Sequence, residues 1–144
     1  MSDQPLTYAD FSDCLLLNTV KTARLLLRRY DNRIKGFGVS VVQFSVLVTI
    51  RHNAGRSIND LAEAIAMDRT TLTRNIDLLE RKGLVRKRAL GRGNARGCVL
   101  TPAGDALLDE LIPRWQEARD ELRAALKDAA PDAFLAGLRT LANG

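Results

Sequence analysis

Apolar residues recur at helical spacing through most of the chain and give way once, near its middle, to a short strand-like pattern. The first periodic stretch runs from about residue 8 to 34. It holds Phe11, Cys14, Leu15, Leu17, Val20, Leu25, Leu26, Leu27 and Tyr30, with no Pro or Gly. This predicts one long helix, too apolar for a surface helix packed on a single side. Either it lies deep in the fold or a partner chain covers its second face. Arg24, Arg28 and Arg29 mark a solvated stripe, and Gly36-Phe37-Gly38 ends the element.

Ser40-Val41-Val42-Gln43 opens a second helix with a capping box, in which hydroxyl and amide satisfy free backbone N–H groups. Phe44, Leu47, Val48 and Ile50 form its buried face, and Asn53-Ala54-Gly55 stops it. Ser57-Ile58-Asn59-Asp60 opens a short third helix with inner residues Leu61, Ala62, Ile65 and Ala66, ending near Met67. Asp68 caps a fourth, about 69–82, whose stripe Leu72, Ile76 and Leu79 sits at helical spacing. Gly83 follows, where a left-handed residue is cheap only for Gly.

Leu84-Val85-Arg86-Lys87-Arg88 reads as a strand and Cys98-Val99-Leu100 as its return, with Gly91, Gly93 and Gly97 punctuating a basic tip. Thr101-Pro102 starts a long helix to about Lys127, which Pro113 is expected to kink. A last helix from near Pro131 is expected to bury Phe134, Leu135, Leu138 and Leu141. The pattern is four helices, a hairpin and two helices. It predicts a mainly α fold with a small β-hairpin wing: a winged helix-turn-helix domain at 38–112, plus a helical dimerisation region from residues 1–37 and 113–144.

Composition narrows the class. The 144 residues are 46% apolar and 27% charged, as expected for one compact domain with an appended helical element. No window approaches the roughly 18 apolar residues of a membrane span. The start, Met-Ser-Asp-Gln-Pro, lacks the basic and apolar run of a secretory signal, so a cytoplasmic protein is expected. Cys14 and Cys98 lie far apart and there is a single His, so no metal-ligand spacing arises and no cofactor is expected. No nucleophile–base pairing or Gly-rich phosphate loop points to an enzyme. The net charge of +5 is concentrated. Between Arg81 and Gly97 stand seven basic residues and no acid, while residues 98–144 are net acidic. A focused basic patch suits a polyanion.

The patch adjoins a DNA-reading pattern. A major-groove helix needs one anchored face and one face of hydrogen-bonding side chains. In the fourth helix Leu72, Ile76 and Leu79 anchor, while Arg69, Thr70, Thr71, Thr73 and Arg74 are the candidates for bases and adjacent phosphates. Ser57, Arg86, Lys87, Arg88, Arg92 and Arg96 are the candidates for the salt-sensitive phosphate contacts. Wing arginines can also enter a narrow minor groove. The partner is therefore double-stranded DNA. The rival reading is a winged-helix module that docks an acidic protein without sequence-specific DNA binding.

Arg74, then Leu78, Leu79, Glu80, Gly83, Leu84 and Val85, a basic wing, and Leu100-Thr101-Pro102-Ala103-Gly104 together resemble the MarR family of bacterial regulators. Gln43-Phe44 with Leu47 fits as well, and the likeness extends over nearly the whole chain. The resemblance implies a homodimer with winged-helix lobes on pseudo-palindromic DNA. It also implies a repressor that releases DNA when a small-molecule effector, often phenolic, or an oxidant binds. Arg96 matches the family's wing Arg, whereas Asn94 stands where an acid often steadies it.

Phe11, Leu15, Leu111, Phe134 and Leu138 are the expected dimer interface. Cys14 has two readings. Some oxidant-sensing members carry a reactive Cys in a similar place, but a small packed residue on an apolar helix explains it too. Asp10 and Asp13 oppose the low pKa that reactivity needs, which favours packing. Trp115, Tyr30 and Phe37 read as core or dimer contacts, with an effector pocket as the alternative. His52, at a helix end, reads as a surface or capping residue.

Overall fold

The computed structural model describes residues 7–91 and 93–144. In chain order it contains α1 (Tyr8–Ser12), α2 (Leu15–Ile34), α3 (Val41–His52), α4 (Ile58–Ala64) and α5 (Arg69–Arg81). Strands β1 (Val85–Ala89) and β2 (Arg96–Leu100) follow, then α6 (Pro102–Ala125) and α7 (Pro131–Asn143). Single turns of 3-10 helix occupy Lys35–Phe37 and Lys127–Ala129. The fold is mainly helical with one antiparallel hairpin, as the apolar pattern predicts.

Local chemistry sets most helix starts. The Ser40 hydroxyl accepts from Gln43 N–H at 3.1 Å while Gln43 Oε1 accepts from Ser40 N–H at 3.2 Å. Ser57 and Asp60 repeat that reciprocal pair. Asp68 accepts from Thr71 N–H at 2.9 Å, and Thr101 accepts from Gly104 N–H at 3.1 Å. Each pair satisfies donors that the first helical turn leaves without an internal partner.

The expected single helix over 8–34 is instead two. It breaks at Asp13-Cys14, and Cys14 takes an extended conformation at the N-cap of α2. The Asn18 amide holds the break by donating to the carbonyls of Ser12 (2.6 Å) and Cys14 (3.0 Å). Nor does α2 lie deep in the fold, since Ile34 alone of its residues is buried. Helix α4 stops short of the expected Met67 because Ala66 turns left-handed at φ 51°. Helix α6 runs through Pro113 as one element.

The core gathers around α3, which packs on α2, α4, α5, α6 and β2. Val46, Leu47 and Ile50 of α3, Leu61 of α4, Leu72, Ile76 and Leu79 of α5, Val85 and Cys98 of the hairpin, and Leu108 and Leu111 of α6 are all at most 2% exposed. The strands pair from Val85↔Leu100 to Ala89↔Arg96. Backbone meets backbone where α6 leaves the hairpin. There Thr101 N–H donates to the Leu84 carbonyl at 3.0 Å, and Thr101 Oγ1–H donates to the Gly83 carbonyl at 2.6 Å. The end of α5, the hairpin and the start of α6 are thereby locked into one block.

Candidate nucleic-acid interface

Helix α5 is anchored on one side and open on the other. Leu72, Ile76 and Leu79 are completely enclosed, whereas Arg69, Thr70, Thr71 and Arg74 are exposed and Thr73 is half-buried. At 100° per residue, Thr70 and Arg74 point almost directly away from the core, and so does Arg81, two turns beyond Arg74. Arg81 was absent from the sequence candidates, although the same periodicity points to it. The Thr71 side chain is committed locally. Its hydroxyl and its N–H both donate to Asp68, which holds that carboxyl below the usual Asp range. Thr70, Thr73, Arg69 and Arg74 keep their polar ends available.

The hairpin projects from the end of this helix. The Leu90 N–H donates to the Ala95 carbonyl at 2.9 Å and closes the tip, where Gly91 and Gly93 adopt positive φ. Gly97 packs against the entry to α4, where a Cβ would lie 2.8 Å from the Arg56 carbonyl. A backbone bridge between Gly97 and Ser57 completes that junction. It brings Ser57, expected as a phosphate contact, to the base of the wing, and the exposed Arg56 comes with it. Arg86, Arg88 and Arg96 are exposed. Among the described residues, none of Arg56, Arg69, Arg74, Arg81, Arg86, Arg88 and Arg96 forms an ion pair. Arg92, also expected at the wing, lies outside the described residues.

Two expected assignments are overturned. Lys87 does not offer its charge outward. It alternates in phase with buried Val85, so its side chain turns toward α5, where Nζ pairs with Asp77 and lies 3.6 Å from Glu80. Leu111 is 1% exposed within the chain's own core, so it has no surface to give a partner. Its turn of α6 packs on α3 and α2 rather than outward.

The remaining interface candidates are open in the single chain: Leu15 is 73% exposed, Phe11 48%, Phe134 47% and Leu138 36%. Helix α7 buries none of its residues within the single chain, so Phe134, Leu135, Leu138 and Leu141 find no cover from the chain itself. Leu15, Leu26, Phe134, Leu138 and Leu141 line a largely apolar groove of about 690 Å³ between α2 and α7. Cys14 is partly exposed beside it in sequence, at the α1–α2 break. Tyr30 and Trp115 flank a small depression with Arg33 and Arg114, and burial raises the Tyr30 pKa. The Arg119 guanidinium lies 5.2 Å from the centre of the Trp115 ring. His52 is exposed, its Nδ1 3.0 Å from the Val48 carbonyl.

Among the described residues no single helix is long and apolar enough to cross a membrane. Residues 37–97 match the sequence model of the MarR family. The chain is 31% identical to the Mycobacterium tuberculosis transcriptional regulator MosR, solved in complex with DNA. That match covers 90% of this chain and 98% of the other, with a TM-score of 0.76. It is 30% identical, over 74% of its length, to the Escherichia coli transcriptional repressor MprA, of whose longer chain it spans 62%. The fold is also that of the Rhodococcus jostii repressor CouR, with a TM-score of 0.83 over 96% of this chain and 99% of the other at 23% identity.

Proposed function

The chain belongs to the MarR family of transcriptional regulators, and from that premise we propose that it reads double-stranded DNA in a sequence-specific manner, as a homodimeric repressor. One observation carries the reading. Helix α5 is fully anchored through Leu72, Ile76 and Leu79, presents Thr70, Thr73 and Arg74 outward, and runs directly into a hairpin bearing unpaired arginines. Thr70, Thr73 and Arg74 meet bases, with Arg69 toward the adjacent backbone, while Thr71, bound to Asp68, holds the start of the helix. Arg74 has the fork geometry for guanine or a phosphate. Arg86, Arg88, Arg92 and Arg96 supply phosphate contacts, with Ser57 at the wing base. The DNA complex of the similar MosR and the repressor MprA support this assignment.

Residues 38–112 form the reading domain in this view, and 1–37 with 113–144 the dimerisation region. The exposed Phe11 and Leu15, with Phe134 and Leu138 of α7, are covered by the second copy. Pairing sets two α5 helices about 34 Å apart, one turn of DNA. Release by a small-molecule or oxidant effector, which family membership implies, would work by favouring a different separation of the lobes. A protein that acts on the chromosome in this way works in the bacterial cytoplasm and needs no catalytic centre.

The test is binding to a duplex selected by the wild-type chain from a random-sequence pool, measured at several salt concentrations. The expected result is a selected site with two related half-sites and a steep salt dependence. Arg74→Ala should weaken binding at least tenfold and relax preference at one position in each half-site. Equal affinity for selected and scrambled duplexes would overturn the proposal and favour an acidic protein partner.

A further inference from the structure

Among the described basic residues of the hairpin, Lys87 is the one whose charge is already neutralised by its own chain. Its ammonium pairs with Asp77 and sits 3.6 Å from Glu80, one turn apart on α5. Its backbone N–H, facing away from β2, donates to Glu80 Oε1 at 3.0 Å. Strand β1 is thus held on α5 by its side chain and its main chain at a single residue. Asp77 and Glu80 hold the ammonium more firmly protonated than an ordinary Lys. Partly exposed ion pairs of this kind add little to fold stability. What they do restrict is direction. β1 carries Arg86 and Arg88 and leads to the tip, so its angle to α5 decides where the wing lies when the helix is in a groove.

We propose that Lys87 is a positioning residue for DNA recognition: clamped by Asp77 and Glu80, it sets the angle between the reading helix and the wing, so that both meet the duplex together. The proposal rests on the DNA-binding reading above. It separates Lys87 from Arg86 and Arg88, its neighbours in sequence, which carry free charge. It also explains an acid at position 77 of a helix that approaches phosphates, since Lys87 cancels its repulsion.

The experiment uses the full chain and the duplex that the wild type selects from a random-sequence pool, with binding measured across salt concentrations. Lys87→Met should weaken binding at least fivefold at every salt concentration and leave the log–log salt slope unchanged. A phosphate contact would instead flatten that slope by about 1. Lys87→Arg should recover most of the affinity. Asp77→Asn should also weaken binding, whereas removing an acid beside DNA otherwise strengthens it. Arg96→Ala should cost less in the Lys87→Met background than in the wild type, because a displaced wing has less contact to lose. Thermal unfolding of each variant identifies any that fails to fold, and Asp77→Asn puts the question from the helix side. A flattened slope, tighter binding by Asp77→Asn, or additive Lys87 and Arg96 losses would overturn the clamp alone. Failure of the wild type to select a duplex would overturn the DNA-binding reading and the clamp with it.

Discussion

Gly104 lies so close to Leu84 that a Cβ on it would stand 2.0 Å from the Leu84 carbonyl oxygen. No side chain fits that distance, and the obstacle is backbone rather than a flexible tip. The contact fixes how α6 leaves the hairpin, because the same Leu84 carbonyl accepts from Thr101 N–H. Gly104→Ala must therefore push α6 away from the end of α5. The expected cost is roughly 3 kcal/mol or more, as for a forced insertion into a packed site. At this chain length that is a melting temperature lower by on the order of 10 °C. Differential scanning calorimetry measures it, and a melting temperature unchanged within a degree would contradict the contact.

Acid should loosen the start of the reading helix. Asp68 accepts from the N–H and the hydroxyl of Thr71, and these bonds depress its pKa below the ordinary 3.8. A carboxyl with a lowered folded-state pKa contributes stability that is whole above the unfolded value. That contribution is lost as pH falls through the folded value. Melting of the wild type should therefore fall more steeply than that of Asp68→Asn below about pH 4, with the two curves parallel near neutrality. Asn keeps an N-cap acceptor but does not titrate. Parallel curves down to pH 2 would show that the cap carries no linkage.

Features governed by neighbours in sequence are legible from the chain alone. Ser40, Ser57, Asp68 and Thr101 announced their helices because a cap is a contact over three residues. The anchored stripe of α5 was legible because 3.6-residue periodicity needs no knowledge of what covers it. The misreadings share a different cause. The α1–α2 break depends on an Asn18 side chain reaching back to Ser12, which apolar spacing does not register. Leu111 and Leu138 both sit on apolar helical stripes, and only packing tells which is covered by the same chain. Lys87 resembles its basic neighbours in the linear sequence, and only its face of the strand sets it apart. The two-residue alternation from buried Val85 carried the missing signal.

Cys98 should be chemically silent in the folded chain. It is 2% exposed, and burial pushes its thiol up to about 11, with Lys87 offsetting only part of the rise. The thiolate is the reactive species, so both access and ionisation oppose alkylation at pH 8. Iodoacetamide followed by peptide mapping should find Cys98 unmodified until denaturant is added. Rapid native labelling at Cys98 would mean that the hairpin opens readily from α5 and α3.

The apolar surface of α2 and α7 should behave as an interface, in contrast to the enclosed core around Leu111. Leu15 and Leu138 line the open groove, and α7 buries no residue of its own. Leu138→Glu should leave the protomer folded, because its side chain is 36% exposed there. It places a charge in the proposed dimer interface, so light scattering should shift from a dimer toward the 15.9 kDa protomer. DNA affinity should then fall by roughly 100-fold or more, since the second half-site no longer binds as part of one molecule. Leu111→Ala makes the opposite demand. Deleting a side chain that is 1% exposed should cost about 2–5 kcal/mol of protomer stability. A Leu138→Glu chain that remains dimeric and binds DNA as the wild type does would place the interface elsewhere. The exposed leucines of α2 and phenylalanine of α7 would then lack a partner, a poor fit for a chain with so much apolar surface on two adjacent helices.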